Sequence, residues 1–124
     1  MKYTSINPVN DQLVQAYPTW DKSRLQGALE RARDVQVEWR RSEFEARAVL
    51  LTRTADRLRD RRDQYAALIT RETGKVLRES LAEVDKCALV CDYYAVHGQF
   101  FLDDEVINTD AGKSYVAYQP MGTV

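Results

Sequence analysis

Gly112-Lys113-Ser114 is a stretch whose composition suggests chemistry, because Gly-Lys-Ser closes the phosphate-binding loop of nucleotide hydrolases. That loop needs a glycine five positions earlier and a following helix whose first amides hold the phosphate. Ile107 occupies the glycine position, and Tyr115-Val116-Ala117-Tyr118 has the β-branched and aromatic content of a strand. The segment is therefore expected to be a hairpin turn. Cys87, Cys91 and His97 are the next candidates, as a metal site or as a nucleophile with its base. Structural zinc takes four converging ligands, and three residues strung along one helix do not provide them. Helical i, i+4 spacing also suits a disulfide poorly. A catalytic thiol would need a base in a polarised pocket. His97 is the only histidine, and its offsets from Cys87 and Cys91 do not define a shared helical face. The expectation is two buried thiols that act as small hydrophobes.

The arginine-rich run 53–63 could suggest a nucleic-acid surface, but Asp56, Asp60 and Asp63 interleave with the arginines and no aromatic residue is present to stack on a base. A solvated helix face with ion pairs is the expected role. Tyr93, Tyr94, His97, Phe100 and Phe101 could line a pocket, and are expected to pack at a helix end. The five glycines never approach the spacing of a dinucleotide-binding turn. No catalytic, cofactor-binding or metal-ligating residue emerges.

The elements that would position these residues can be read from periodicity. Asn7-Pro8 and Asn10-Asp11 are turn formers between two short extended pieces, the second being Leu13–Tyr17 closed by Pro18. A helix is predicted from near Asp21, with Leu25, Ala28, Ala32, Val35 and Trp39 in one stripe. A second is predicted to open at Ser42, where Glu45 three residues on completes a capping box. A slight break near Arg61-Arg62 precedes a third segment, which Gly74 ends as a left-handed cap. A fourth helix is predicted over about 76–101, with an apolar stripe wide enough to imply burial on more than one side. Strand, tight turn and strand follow over 106–118.

Composition limits the class of protein. The 124 residues carry 18 Lys+Arg against 19 Asp+Glu, and this balance gives no field toward nucleic acid or an anionic membrane. Apolar residues make up 44% and charged residues 30%, as in a folded rather than a disordered chain. No apolar run approaches the ~20 residues of a membrane span. Two cysteines without a secretion signal suit a reducing compartment, so a cytoplasmic location is expected.

Glu72-Thr73-Gly74-Lys75, followed by Glu79, Glu83-Val84 and Tyr93-Tyr94-Ala95, resembles the N-terminal part of the aldehyde dehydrogenase superfamily. The resemblance runs from Ile6-Asn7-Pro8 to Tyr118-Gln119-Pro120-Met121-Gly122-Thr123-Val124, which is similar to the family's lead-in to its first coenzyme-domain strand. Glu83–Ala88, Cys91–Ala95 and Asp110–Tyr115 look most like bacterial NAD(P)-dependent succinate-semialdehyde dehydrogenases.

The resemblance implies an α/β fold represented by its N-terminal part only. A β-ribbon would occupy 1–18, a helical layer of three to four helices 19–102, an oligomerisation-type hairpin 103–120, and the start of the first coenzyme-domain strand 121–124. In such enzymes a cysteine thiolate attacks the aldehyde, hydride passes to NAD or NADP, and a glutamate activates the water that hydrolyses the thioester. The resemblance places all of these groups beyond Val124, with a Pro-Trp-Asn motif just after it. Cys87 and Cys91 match helical positions, not the nucleophile. Lys86 would lie near the substrate entrance, although a solvated helix edge is its simpler role. The implied chain is inactive alone and binds no cofactor. Its partners would be the remainder of the enzyme or a homologous subunit in a homo-oligomer. The length, about a quarter of a normal member, implies an interrupted gene product or a separately encoded remainder. The alternative is a non-catalytic interaction module that docks by its helices and hairpin.

Overall fold

A computed structural model describes residues 2–124. Strands β1 (Lys2–Ile6) and β2 (Leu13–Pro18) pair antiparallel, Tyr3 opposite Tyr17, with an irregularity between Ser5 and Ile6. The turn formers act as expected: Asn7 Oδ1 accepts from the Val9 amide at 2.9 Å and Asn10 Oδ1 from the Gln12 amide at 3.1 Å. Asp11 takes a left-handed conformation, φ 57°, which Asn and Asp tolerate better than bulky residues do.

Helix α1 (Lys22–Trp39) is capped by Asp21, whose carboxylate accepts from the Arg24 amide at 2.7 Å. None of its residues is buried. The stripe read from the sequence is present, but Leu25, Val35 and Trp39 remain exposed. Helix α2 (Phe44–Asp60) begins later than the capping box predicts, with Glu43 as an N-cap that makes no side-chain bond. The Ser42 hydroxyl instead donates back to the Trp39 carbonyl at 2.7 Å, satisfying an orphan group at the end of α1. A serine can serve either neighbouring helix end, and spacing alone does not say which.

The break at Arg61 is real: φ −111° and ψ 22° separate α2 from α3 (Arg62–Thr73). Gly74 then ends α3 at φ +74°, and a Cβ there would sit 3.1 Å from Pro8 Cγ. The same junction is tied to the ribbon by Ser5, whose hydroxyl donates to Glu72 Oε1 at 2.8 Å. Helix α4 (Leu77–Leu102) follows. No helix among the described residues is long and apolar enough to cross a membrane.

The core lies where α2 and α3 meet α4. Ser80, Val84 and Ala88, one turn apart on α4, are buried, as are Ala55 of α2 and Ala66 of α3. These small side chains permit close approach of the helices, and the Ser80 hydroxyl is satisfied by Thr70 Oγ1 at 2.9 Å. Ala88, only 1% exposed, has no room for a larger group. Ala88→Leu is expected to cost about 1–3 kcal/mol through overpacking, read as a lower urea midpoint for loss of helical ellipticity.

Among the described residues, α4 is not buried on a second side. Cys87, Val90 and Tyr94 are exposed and Cys91 is half-buried. The expected burial of both thiols is therefore not met, Cys87 being exposed and Cys91 only half-buried, because α2 and α3 both cover the same side of α4. Strands β3 (Glu105–Val106) and β4 (Tyr115–Val116) form the predicted hairpin with a ladder of two residues per strand. The Ile107 amide extends it by donating to the Ser114 carbonyl at 2.9 Å, and Tyr118 OH donates to Glu105 Oε1 at 2.9 Å. Residues 121–124 form no strand. A strand exists only through pairing, and no neighbouring strand lies beside them among the described residues.

Candidate functional site

The hairpin loop places Gly112-Lys113-Ser114 away from any phosphate cradle. The loop is largely exposed, Ser114 Oγ shares a hydrogen bond with Thr109 Oγ1 at 2.7 Å, and the Lys113 ammonium lies 4.6 Å from the Tyr115 ring centroid. A strand follows rather than a helix, as expected.

His97 is engaged in ring contacts with Tyr93 and Phe101. Its ring lies 4.5 Å from that of Tyr93, within a chain of rings that continues through Phe101. Tyr93, Tyr94, Phe100 and Phe101 touch one another, yet each stays about half exposed or more. The cluster thus packs against itself at the end of α4, with Tyr94 also facing a cleft toward α2 and Phe100 and Phe101 bordering a depression beside Asp103 and Glu105. Among the described residues, no three His, Cys, Asp or Glu side chains converge as a metal site.

The arginine run does more than solvate a face. Arg62 of α3 makes a two-pronged contact with Asp85 of α4, Nε to Oδ1 at 2.6 Å and Nη2 to Oδ2 at 2.7 Å. Arg59 pairs across to Asp92, and Lys75 to Glu83, so three ion pairs bind the edges of α2, α3 and their junction to α4. The hydrogen bonds from Arg62 hold the Asp85 carboxyl below the usual carboxylate range. A lowered folded-state pKa contributes stability above the unfolded value, near ~4, and that contribution is lost as pH falls through the folded value. Acidification below about pH 4 is expected to loosen the α3–α4 junction, and Asp85→Asn is expected to flatten this part of the pH profile of helical ellipticity. Added salt should weaken the pair, since both partners are solvent-exposed.

One cleft escaped the sequence reading. Phe44, Ala48 and Leu51 of α2 face Tyr94, Gly98 and Leu102 of α4 across about 450 Å³ of space. The Arg47 guanidinium lies over the Phe44 ring at 4.2 Å, a cation–π contact, at the rim of this cleft. The available signal was Gly98, one turn from Tyr94 and from Leu102, which removes the side chain that would fill the gap. A second, shallower groove lies on the open side of α4, where Lys75, Glu83, Lys86, Cys87, Val90 and Cys91 line it. Lys86 is exposed, as expected of a helix edge. Neither depression holds a nucleophile–base pair or a glycine-rich turn.

A family model described as the aldehyde dehydrogenase family matches residues 1–124. The chain is 40% identical over its whole length to the probable NADP(+) succinate-semialdehyde dehydrogenase of Synechocystis sp., of which it covers 27%. It is 33% identical over 97% of its length to the succinate semialdehyde dehydrogenase Sad of Escherichia coli, covering 26% of that protein. Among solved structures, the succinic semialdehyde dehydrogenase of Streptococcus pyogenes, in complex with NADP+, superimposes with a TM-score of 0.84 at 34% identity, over 91% of this chain and 25% of that one. The structure of Gox0499 superimposes with a TM-score of 0.91 at 26% identity, over 98% and 27% respectively. The chain thus spans about a quarter of the length of the relatives it matches. With ribbon, helical layer and hairpin arranged as in the N-terminal portion of those enzymes, this chain belongs to the aldehyde dehydrogenase family.

Proposed function

We propose that the chain is the scaffold quarter of an NAD(P)-dependent aldehyde dehydrogenase that oxidises succinate semialdehyde to the carboxylic acid, and that it contributes no catalytic or coenzyme-binding residue. The observation that carries this reading is the size of its surface. A self-contained globular chain of 14.3 kDa is expected to expose about 6,800 Å², whereas this one exposes 10455 Å². The excess, about 3,700 Å² on this one chain, is larger than one partner's share of a transient interface by several-fold. It suits only an obligate one, since obligate interfaces bury about 2,000–5,000 Å² or more counted over both partners. The names of the most similar relatives support the substrate and the coenzyme.

In this reading residues 1–18 and 103–120 are ribbons that pair with strands supplied from elsewhere, 19–102 is the layer that covers the coenzyme domain, and 121–124 enters its sheet. The complete enzyme is a cytoplasmic homo-oligomer, with no nucleic-acid or membrane partner. The polypeptide titrated with NADP(+) or NAD(+) is expected to give no calorimetric binding signal, because it has no glycine-rich turn at a helix N-terminus to receive the pyrophosphate. A saturable signal would place coenzyme-binding groups within these residues and refute the proposal.

The unpaired edges of both ribbons favour a second reading, in which the chain docks by strand addition onto a separately encoded partner or an intact homologue. Co-purification with an intact homologue that leaves its turnover unchanged would support docking without catalytic completion.

A further inference from the structure

Cys87 and Cys91 are both free, the first exposed and the second half-buried, sit one helical turn apart on α4, and line the same open groove. Neighbours at i and i+4 on a helix have Cβ atoms about 5–6 Å apart. A disulfide requires about 3.5–4.5 Å, so an intact α4 keeps the two sulfurs from closing on each other. One soft atom placed between them can bond to both. His97 is engaged with Tyr93, and no third ligand converges on the pair among the described residues, so the site has two ligands and not the four of structural zinc.

We infer that Cys87 and Cys91 form a dithiol chelate for a soft acceptor atom with two exchangeable positions, of which a monosubstituted trivalent arsenical is the type. Thiolate ligands select soft acceptors. The step balances without a redox partner: two S–H bonds break, two S–As bonds form, the arsenic stays trivalent, and the oxide oxygen leaves as water with the two thiol protons. The inference rests on α4 and its exposed face as they stand in the 124-residue chain, without the remainder of the enzyme.

The test is titration of the 124-residue polypeptide with phenylarsine oxide, with free thiols counted by a chromogenic disulfide reagent. One equivalent is expected to remove both thiols. Cys87→Ser, Cys91→Ser and Cys91→Ala chains that retain their helical ellipticity are expected to bind about 10²-fold more weakly, because the second sulfur then no longer acts at high effective concentration. Oxidised glutathione is expected to yield mixed disulfides on the folded chain and an internal disulfide only after denaturation in urea. Single-cysteine chains that bind the arsenical as tightly as the parent would overturn the inference. So would an internal disulfide that forms as readily on the folded chain as on the denatured one.

Discussion

No reduced coenzyme is expected to appear when the purified 124-residue polypeptide is incubated with succinate semialdehyde and NADP(+) or NAD(+). The effect is all-or-none because the reaction needs a nucleophile, an oxyanion donor pair and a seat for the nicotinamide in one place. Nothing among the described residues assembles them. Both thiols lie on an open helix side without a base, His97 is packed against Tyr93, and the only Gly-Lys-Ser stretch lies in a hairpin loop. The informative arm adds the remaining three quarters of a homologous succinate-semialdehyde dehydrogenase, separately expressed. Turnover is expected only in the mixture. Activity of the polypeptide alone would sink the proposed function. Activity of the larger piece alone, unchanged by adding this chain, would reduce the chain to a dispensable cover.

The second large effect concerns solution behaviour. At the surface excess noted above, the polypeptide is expected to self-associate as its concentration rises in sedimentation velocity, and to enhance the fluorescence of a dye that binds apolar surface. The exposed side chains responsible are contiguous by element: Leu25, Leu29, Val35 and Trp39 on α1, and Leu89, Val96, Phe100 and Phe101 on α4. Complexation with the remainder of the enzyme is expected to abolish both signals. A dye-silent monomer with one sharp calorimetric transition would show that the chain covers its own apolar surface, contrary to its structure.

The elements were legible because their signals are local. Asp21 caps α1 since a short acidic side chain reaches the amide three residues on. Gly74 ends α3 since it alone among the nearby residues adopts a left-handed conformation without a Cβ penalty. Turn formers set between residues of strand composition mark both ribbons. The family resemblance rests on the same kind of short motif.

Three features were beyond such reasoning, one because a local choice between two helix ends is not set by spacing and two because they depend on residues distant in the chain. The Ser42 hydroxyl bonds backward to α1 rather than forward to α2, a choice set by how the two helices are joined. The arginines of the 53–63 run that reach across to α4, Arg59 and Arg62, find partners 33 and 23 residues away, where helix periodicity suggested partners along the same face. Cys87 and Val90 lie open although their pattern reads as core, since an apolar stripe states that a face avoids water but not which body covers it.

The amino-acid order, then, determined the helices and the two paired ribbons to within a few residues and the family to which the chain belongs, because caps, turns and periodicity act over a few residues. Only the tertiary arrangement decided which apolar faces meet within this chain and which remain open. Burial is a property of pairs of surfaces, and α2 and α3 both settle on one side of α4.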